Sequence, residues 1–228
     1  SKPQYFISTS PKTYSGAQSF CRKNCLDLVT VHDMQEMEAV QEMYQGQYDD
    51  ALWIGLHKGT NPKWHWSLAD ERFYKEGERT YFTWSSSNSY NCGTFKNGLF
   101  YMTGCDAFIF ALCFDGNKSG LEQYALISVG MKWMEAREHC RTHYTDLASV
   151  RNATESQMIK TVSGGLEVWV GLFRDPWVWS GNTFSSFRNW IESREVYTNQ
   201  DAACVAMIKS ESGRWDERPC DQSLPFLC

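Results

Sequence analysis

The sequence predicts two consecutive copies of one mixed α+β domain, stapled by disulfides. Three observations predict it. Nine cysteines occur without a single CxxC pair, and an internal repeat runs the length of the 228 residues. In each copy, helical spacing gives way to short strands around a long irregular loop.

Metal-binding cysteines come in short pairs, because neighbouring ligands must close on one ion. Here the shortest separation is Cys21 to Cys25, so disulfides and an oxidising, extracellular compartment are expected. The sequons at Asn117 and Asn152 are compatible with secretion and are candidate glycosylation sites. The chain opens at Ser1 and is read as a processed or excised extracellular segment. No apolar run approaches the roughly 18 residues of a membrane span. Net charge is -5 and no Lys/Arg run occurs, which leaves no basic footprint for nucleic acid.

The repeat is read directly from the residues. CRKNCLDLVTV (21–31) lies against CRTHYTDLASV (140–150), WIGL (53–56) against WVGL (169–172), and WHWS (64–67) against WVWS (177–180). Trp84 then matches Trp190, and Cys92, Cys105 and Cys113 match Cys204, Cys220 and Cys228. The domains are placed at 1–113 and 123–228, joined by a polar linker at 114–122 that holds two glycines.

Tyr5-Phe6-Ile7 and Tyr124-Ala125-Leu126-Ile127 open the copies as strands. Ala17, Phe20 and Cys21, like Trp133, Ala136 and Cys140, fall at helical spacing, so a helix carries the first cysteine of each copy. Second helices are expected at 33–44, with Met37, Val40 and Tyr44 on one face, and at 152–162. Beyond each W-I/V-G-L strand, Gly, Ser, Asn and Pro dominate, and short strands around a long loop are expected.

Four cysteines recur in both copies, and equivalent positions are expected to pair equivalently. That gives outer bridges Cys21–Cys113 and Cys140–Cys228 and inner bridges Cys92–Cys105 and Cys204–Cys220. Cys25 is left over, opposite Tyr144 in the repeat. It is either a buried thiol in an aromatic slot or the link of a disulfide-bonded homodimer.

These motifs resemble the C-type lectin-like domain over nearly the whole chain, twice. The helix-borne first cysteine, the WIGL-type strand, the inner cysteine pair and the closing LPFLC (224–228) carry the resemblance. It implies an α+β fold with two helices, small antiparallel sheets and a ligand-binding long loop in each of two tandem domains.

Sugar-binding members of that family use calcium, a hard cation that takes six to eight oxygens. The family supplies them from a Glu-Pro-Asn or Gln-Pro-Asp triplet in the long loop and from Trp-Asn-Asp before the penultimate cysteine. The loop of the first copy, Trp84 to Cys92, has neither proline nor carboxylate, and Phe100-Tyr101-Met102 stands where Trp-Asn-Asp would lie. No calcium clamp is expected there. Tyr90, Phe100 and Tyr101 are candidates for an aromatic platform instead.

The second loop, Trp190 to Cys204, is longer. It carries Glu192, Glu195, Asn199 and Asp201, with Trp215-Asp216-Glu217 further on. Glu192, Asn199, Asp201, Asp216 and Glu217 are therefore candidate calcium ligands in the second copy only, and no cofactor is otherwise required. The loop lacks the family's proline, whose cis peptide would orient two of the ligands.

Catalysis is not expected. His139 and His143 have the i, i+4 spacing of zinc-binding histidines, but Cys140 stands where a metalloprotease places its glutamate, and no nucleophile or phosphate motif occurs. The expected function is non-catalytic recognition of an extracellular protein or a glycan without the usual calcium clamp. A calcium-dependent lectin acting through the second copy, and a structural protein cross-linked through Cys25, stay open.

Overall fold

The computed structural model describes residues 4–181, 183–197 and 202–228. In chain order the elements are β1 (Ile7–Lys12), α1 (Tyr14–Asn24), α2 (Met34–Tyr44), β2 (Ala51–Trp66), β3 (Cys92–Lys96), β4 (Leu99–Thr103) and β5 (Ile109–Phe114). They continue with β6 (Tyr124–Met131), α3 (Trp133–His143), β7 (Asp146–Leu147), α4 (Ala153–Ser163), β8 (Val168–Trp179), β9 (Cys204–Ile208), β10 (Arg214–Arg218) and β11 (Leu224–Leu227).

Local chemistry sets the helix limits. The Thr13 side chain caps α1 by accepting from the Gly16 amide, and Asp33 caps α2 by accepting from the Glu36 amide. Asn152 caps α4 in the same way, accepting from the Glu155 amide. At the far end of α4, Gly164 takes the left-handed conformation that terminates it (φ 62°). α1 buries Tyr14, Ala17 and Cys21, whereas α3 buries Trp133, Ala136, Arg137 and Cys140. Both are one-sided stripes at helical spacing.

The chain divides into two compact units, and neither is a continuous stretch. One comprises Ser1–Pro62, Pro176–Arg194 and Thr198–Cys228; the other comprises Lys63–Asp175 and Glu195–Tyr197. The first unit joins the leading half of the first repeat to the trailing half of the second. The second unit joins the complementary halves. The segments 1–113, 114–122 and 123–228 mark the repeats in the sequence, whereas each compact unit draws on both.

The two units share one topology. In the first, β1 runs antiparallel to β11, β11 parallel to β2, β2 antiparallel to β9, and β9 antiparallel to β10. In the second, β6, β5, β8, β3 and β4 follow in the same order and sense. The register repeats as well: Trp53 lies opposite Phe226, and Trp169 opposite Ala111. The first core gathers Tyr14, Trp53, Ala206 and Phe226; the second gathers Trp66, Phe95, Leu112 and Val170 beside Trp133, Trp169 and Phe173.

The exchange of halves follows from two strands that do not turn back. β2 runs through Pro62 without a hairpin, exposed from Thr60 to Lys63, and β8 runs through Asp175-Pro176. A proline holds its predecessor in extended backbone, in keeping with the straight path of both strands.

The outer disulfides require correction accordingly. Cys21 is bonded to Cys228 and Cys113 to Cys140, in place of Cys21–Cys113 and Cys140–Cys228. The first cysteine of each repeat sits on a helix packed against the closing strand of the other repeat, so its partner lies there. The inner bridges are Cys92–Cys105 and Cys204–Cys220, as the repeat implies.

A matched polar lock closes each unit. Asp27 accepts hydrogen bonds from Arg22 Nε at 3.1 Å and from the Ser180 hydroxyl. Asp146 accepts from Arg141 Nε at 3.1 Å and from the Ser67 hydroxyl at 2.8 Å. In both cases the Arg–Asp pair comes from one repeat and the serine, last residue of a W-x-W-S motif, from the other.

His57, on β2 in the first unit, makes stability sensitive to pH. Burial holds its imidazole below the ordinary 6.5, against the Gly55 backbone hydrogen bond, with the Arg22 guanidinium adding to the depression and Asp27 opposing it. The unfolded chain therefore binds the proton first as pH falls. This contribution to stability is complete above about pH 6.5 and is lost below it. His57→Gln is expected to narrow the difference in melting temperature between pH 7.5 and 5.5, as read by thermal melts of both proteins.

Candidate functional site

The long loop that follows Trp190 is anchored at its start. Trp190 pairs with Trp215, whose amide donates to the Asn189 carbonyl at 2.8 Å while the Ile191 amide donates to the Trp215 carbonyl at 2.9 Å. Trp177, Trp179, Trp190 and Trp215 are all buried and form a chain of ring contacts, with Trp177–Trp190 centroids 5.5 Å apart and Trp190–Trp215 centroids 6.1 Å apart. The recurring tryptophans are thus architecture, as their recurrence in the repeat suggests.

Over this aromatic floor the loop places Arg194, which is 7% exposed. Its guanidinium lies 3.7 Å from the Trp190 ring centre and 5.5 Å from that of Trp177. It donates to Glu217 Oε1 and stands 3.7 Å from Asp216 Oδ1. Pleating of β10 turns Trp215 and Glu217 inward, and Glu217 is 8% exposed. Asp216 stays partly exposed, and one of its oxygens accepts from the Glu217 amide at 2.8 Å.

That arrangement bears on calcium. The ion needs six to eight converging oxygens, yet the β10 carboxylates already face a guanidinium that a metal would have to displace. Glu192 is exposed on the loop, and Asn199 and Asp201 lie outside the described residues. Among the described residues, no three His, Cys, Asp or Glu side chains are grouped so as to hold a metal ion. Of the five candidate ligands, Asp216 and Glu217 both face Arg194.

The second unit arrives at a related arrangement from different residues. Trp84 pairs with Phe100, and the Trp64 and Trp84 rings are 4.4 Å apart. Arg174, from β8, lies 4.9 Å from the Trp64 ring centre. Its Nε donates to Asn91 Oδ1 at 3.1 Å and one terminal nitrogen to the Asn88 carbonyl at 3.0 Å, while burial lowers the pKa of the guanidinium. The Asn88 amide group in turn donates to the Met102 carbonyl at 3.1 Å. The loop is held by arginine and asparagine where a calcium-binding loop would be held by carboxylates.

The aromatic platform needs correction at one position. β3 and β4 join through Asn97-Gly98, both at positive φ (52° and 84°), the two-residue turn that suits hairpin twist. This register turns Phe100 inward, 3% exposed and packed against Phe82, Trp84 and Phe95. Phe100 is a core residue. Tyr90 is 55% exposed, and Tyr101 is half-buried on the neighbouring strand.

Of the remaining candidates, Asn117 is exposed in a turn closed by its amide on Asp115 Oδ1, whereas Asn152 is half-buried, capping α4 and donating to Glu78. Cys25 is a free, half-buried thiol lining an open groove with Phe6, Leu26 and His32. Neither Arg174 nor Arg194 was singled out from sequence. The one available signal was Arg194 set between Glu192 and Glu195, a cation placed among the supposed cation ligands.

The family model described as Lectin C-type domain matches the chain twice, over residues 10–114 and 129–228. The C-type mannose receptor 2 of Rattus norvegicus is 23% identical over 98% of this chain, and the secretory phospholipase A2 receptor of Homo sapiens is 23% identical over 95%. The chain spans about a sixth (17%) of the length of each of those relatives. Among solved structures, human lithostathine aligns over 100% of this chain and 85% of its own, at 14% identity and a TM-score of 0.43.

Proposed function

The chain belongs to the C-type lectin domain family, and from that premise we propose that it is an extracellular, non-catalytic recognition segment built from two tandem C-type lectin-like repeats. It binds an extracellular protein or a glycan without the family's calcium clamp. One observation carries this reading: the Arg194 guanidinium, stacked on Trp190, neutralises Glu217 where the clamp would need that carboxylate for metal. The eight disulfide-bonded cysteines support an oxidising compartment. The names of the relatives point to a sugar for one protein and to a secreted enzyme for the other, so both ligand classes belong in the test.

A glycan array probed with and without EDTA separates the readings. Signal that survives chelation assigns a metal-independent glycan. No signal in either buffer assigns a protein ligand. Signal lost on chelation would overturn the proposal in favour of a calcium-dependent lectin acting through the second repeat. Thiol labelling of the unreduced protein is expected to find one reactive group per chain at Cys25. Its absence, with a dimer on non-reducing electrophoresis, would establish a cross-linked protein instead.

A further inference from the structure

The i, i+4 histidine pair on α3 is not absorbed by the recognition fold. His139 is half-buried and His143 exposed, and neither ring has a hydrogen bond or ion pair among the described residues. Their ring centres are 4.6 Å apart, with the planes inclined at 47°. With metal–nitrogen bonds of about 2.0–2.1 Å, two imidazoles bound side by side to one ion hold their ring centres about 4.5–5 Å apart. The spacing already present is the one chelation requires.

The repeat supplies an internal control. The residues equivalent to His139 and His143 in the first copy are Phe20 and Asn24. Phe20 packs on Phe226, and Asn24 bonds back to the Phe20 carbonyl. The histidine pair is therefore not something the fold needs at these positions. Its backbone is also held firmly: Cys140, next to His139, is bonded to Cys113, and Arg141 is tied to Asp146. A ligand pair on so constrained a helix loses little conformational freedom on binding.

We propose that His139 and His143 chelate one divalent transition-metal ion on the open face of α3, leaving its remaining coordination positions to solvent or to a ligand from a binding partner. Neutral imidazole suits copper, zinc and nickel, with copper the tightest by the usual order of affinities, and it does not suit calcium. The proposal uses no residue of the Arg194 loop, so it does not depend on the recognition reading.

Titration with Cu²⁺ and with Zn²⁺, followed by calorimetry and by NMR of the histidine ring protons, tests it. One equivalent is expected, with broadening by Cu²⁺ centred on the two rings. His143→Ala, on an exposed side chain, is expected to weaken binding at least tenfold while leaving the melting temperature unchanged, and His139→Gln to do the same. His32→Ala, at a half-buried histidine that pairs with Glu36, is expected to leave binding unaltered. Binding unchanged in both α3 variants, binding abolished by His32→Ala, or no binding of either ion would overturn the proposal.

Discussion

A single cut in the segment between the repeats will release nothing from the oxidised protein. With a protease site introduced at Lys118, the fragments 1–118 and 119–228 stay joined by both Cys21–Cys228 and Cys113–Cys140. They run as one species without reductant and as two with it. Had each repeat closed on itself, the same cut would give two separate pieces without reductant. The experiment is all-or-none and needs no structural probe. Two fragments before reduction would show that the halves are not exchanged.

Loss of the Arg194 cation will be the most damaging single change in the loop. Arg194→Met leaves Glu217 buried without its guanidinium, and removing one partner of a buried pair costs about 3–5 kcal/mol. Adding Glu217→Gln to the same chain removes the stranded charge and is expected to return most of that loss, which a double-mutant cycle in denaturant measures. The unaltered protein is expected to melt at the same temperature with and without millimolar calcium. A rise with calcium, or a negligible effect of Arg194→Met, would mean that the guanidinium does not occupy the metal position.

Much of the fold was legible because it depends on local pattern. The stripe Ala17, Cys21 and the stripe Trp133, Ala136, Cys140 specify helices whatever the chain does later. The W-x-G-L motifs specify strands buried on both faces, which the W-x-W-S motifs continue. The inner disulfides close short loops within one half-repeat, so their pairing does not depend on which halves meet. Phe100 was misjudged because sequence shows an aromatic cluster but not the register of an Asn-Gly hairpin, which turns that ring into the core. The surroundings of the loop carboxylates were hidden for a related reason. A row of acids looks alike whether water, a metal or a buried arginine faces it, and Arg194 lies 23 residues from Glu217 in the chain.

By itself the sequence determined the elements, the family they belong to and the inner disulfides. Only the tertiary structure decided which half-repeat meets which. Both pairings bury the same kinds of side chain in the same register, and the entropy of closing the disulfide loops separates them by less than about 1 kcal/mol, since it varies only with the logarithm of loop length. The choice shows instead in whether β2 and β8 turn back or run straight on, and both run straight on through Pro62 and Pro176.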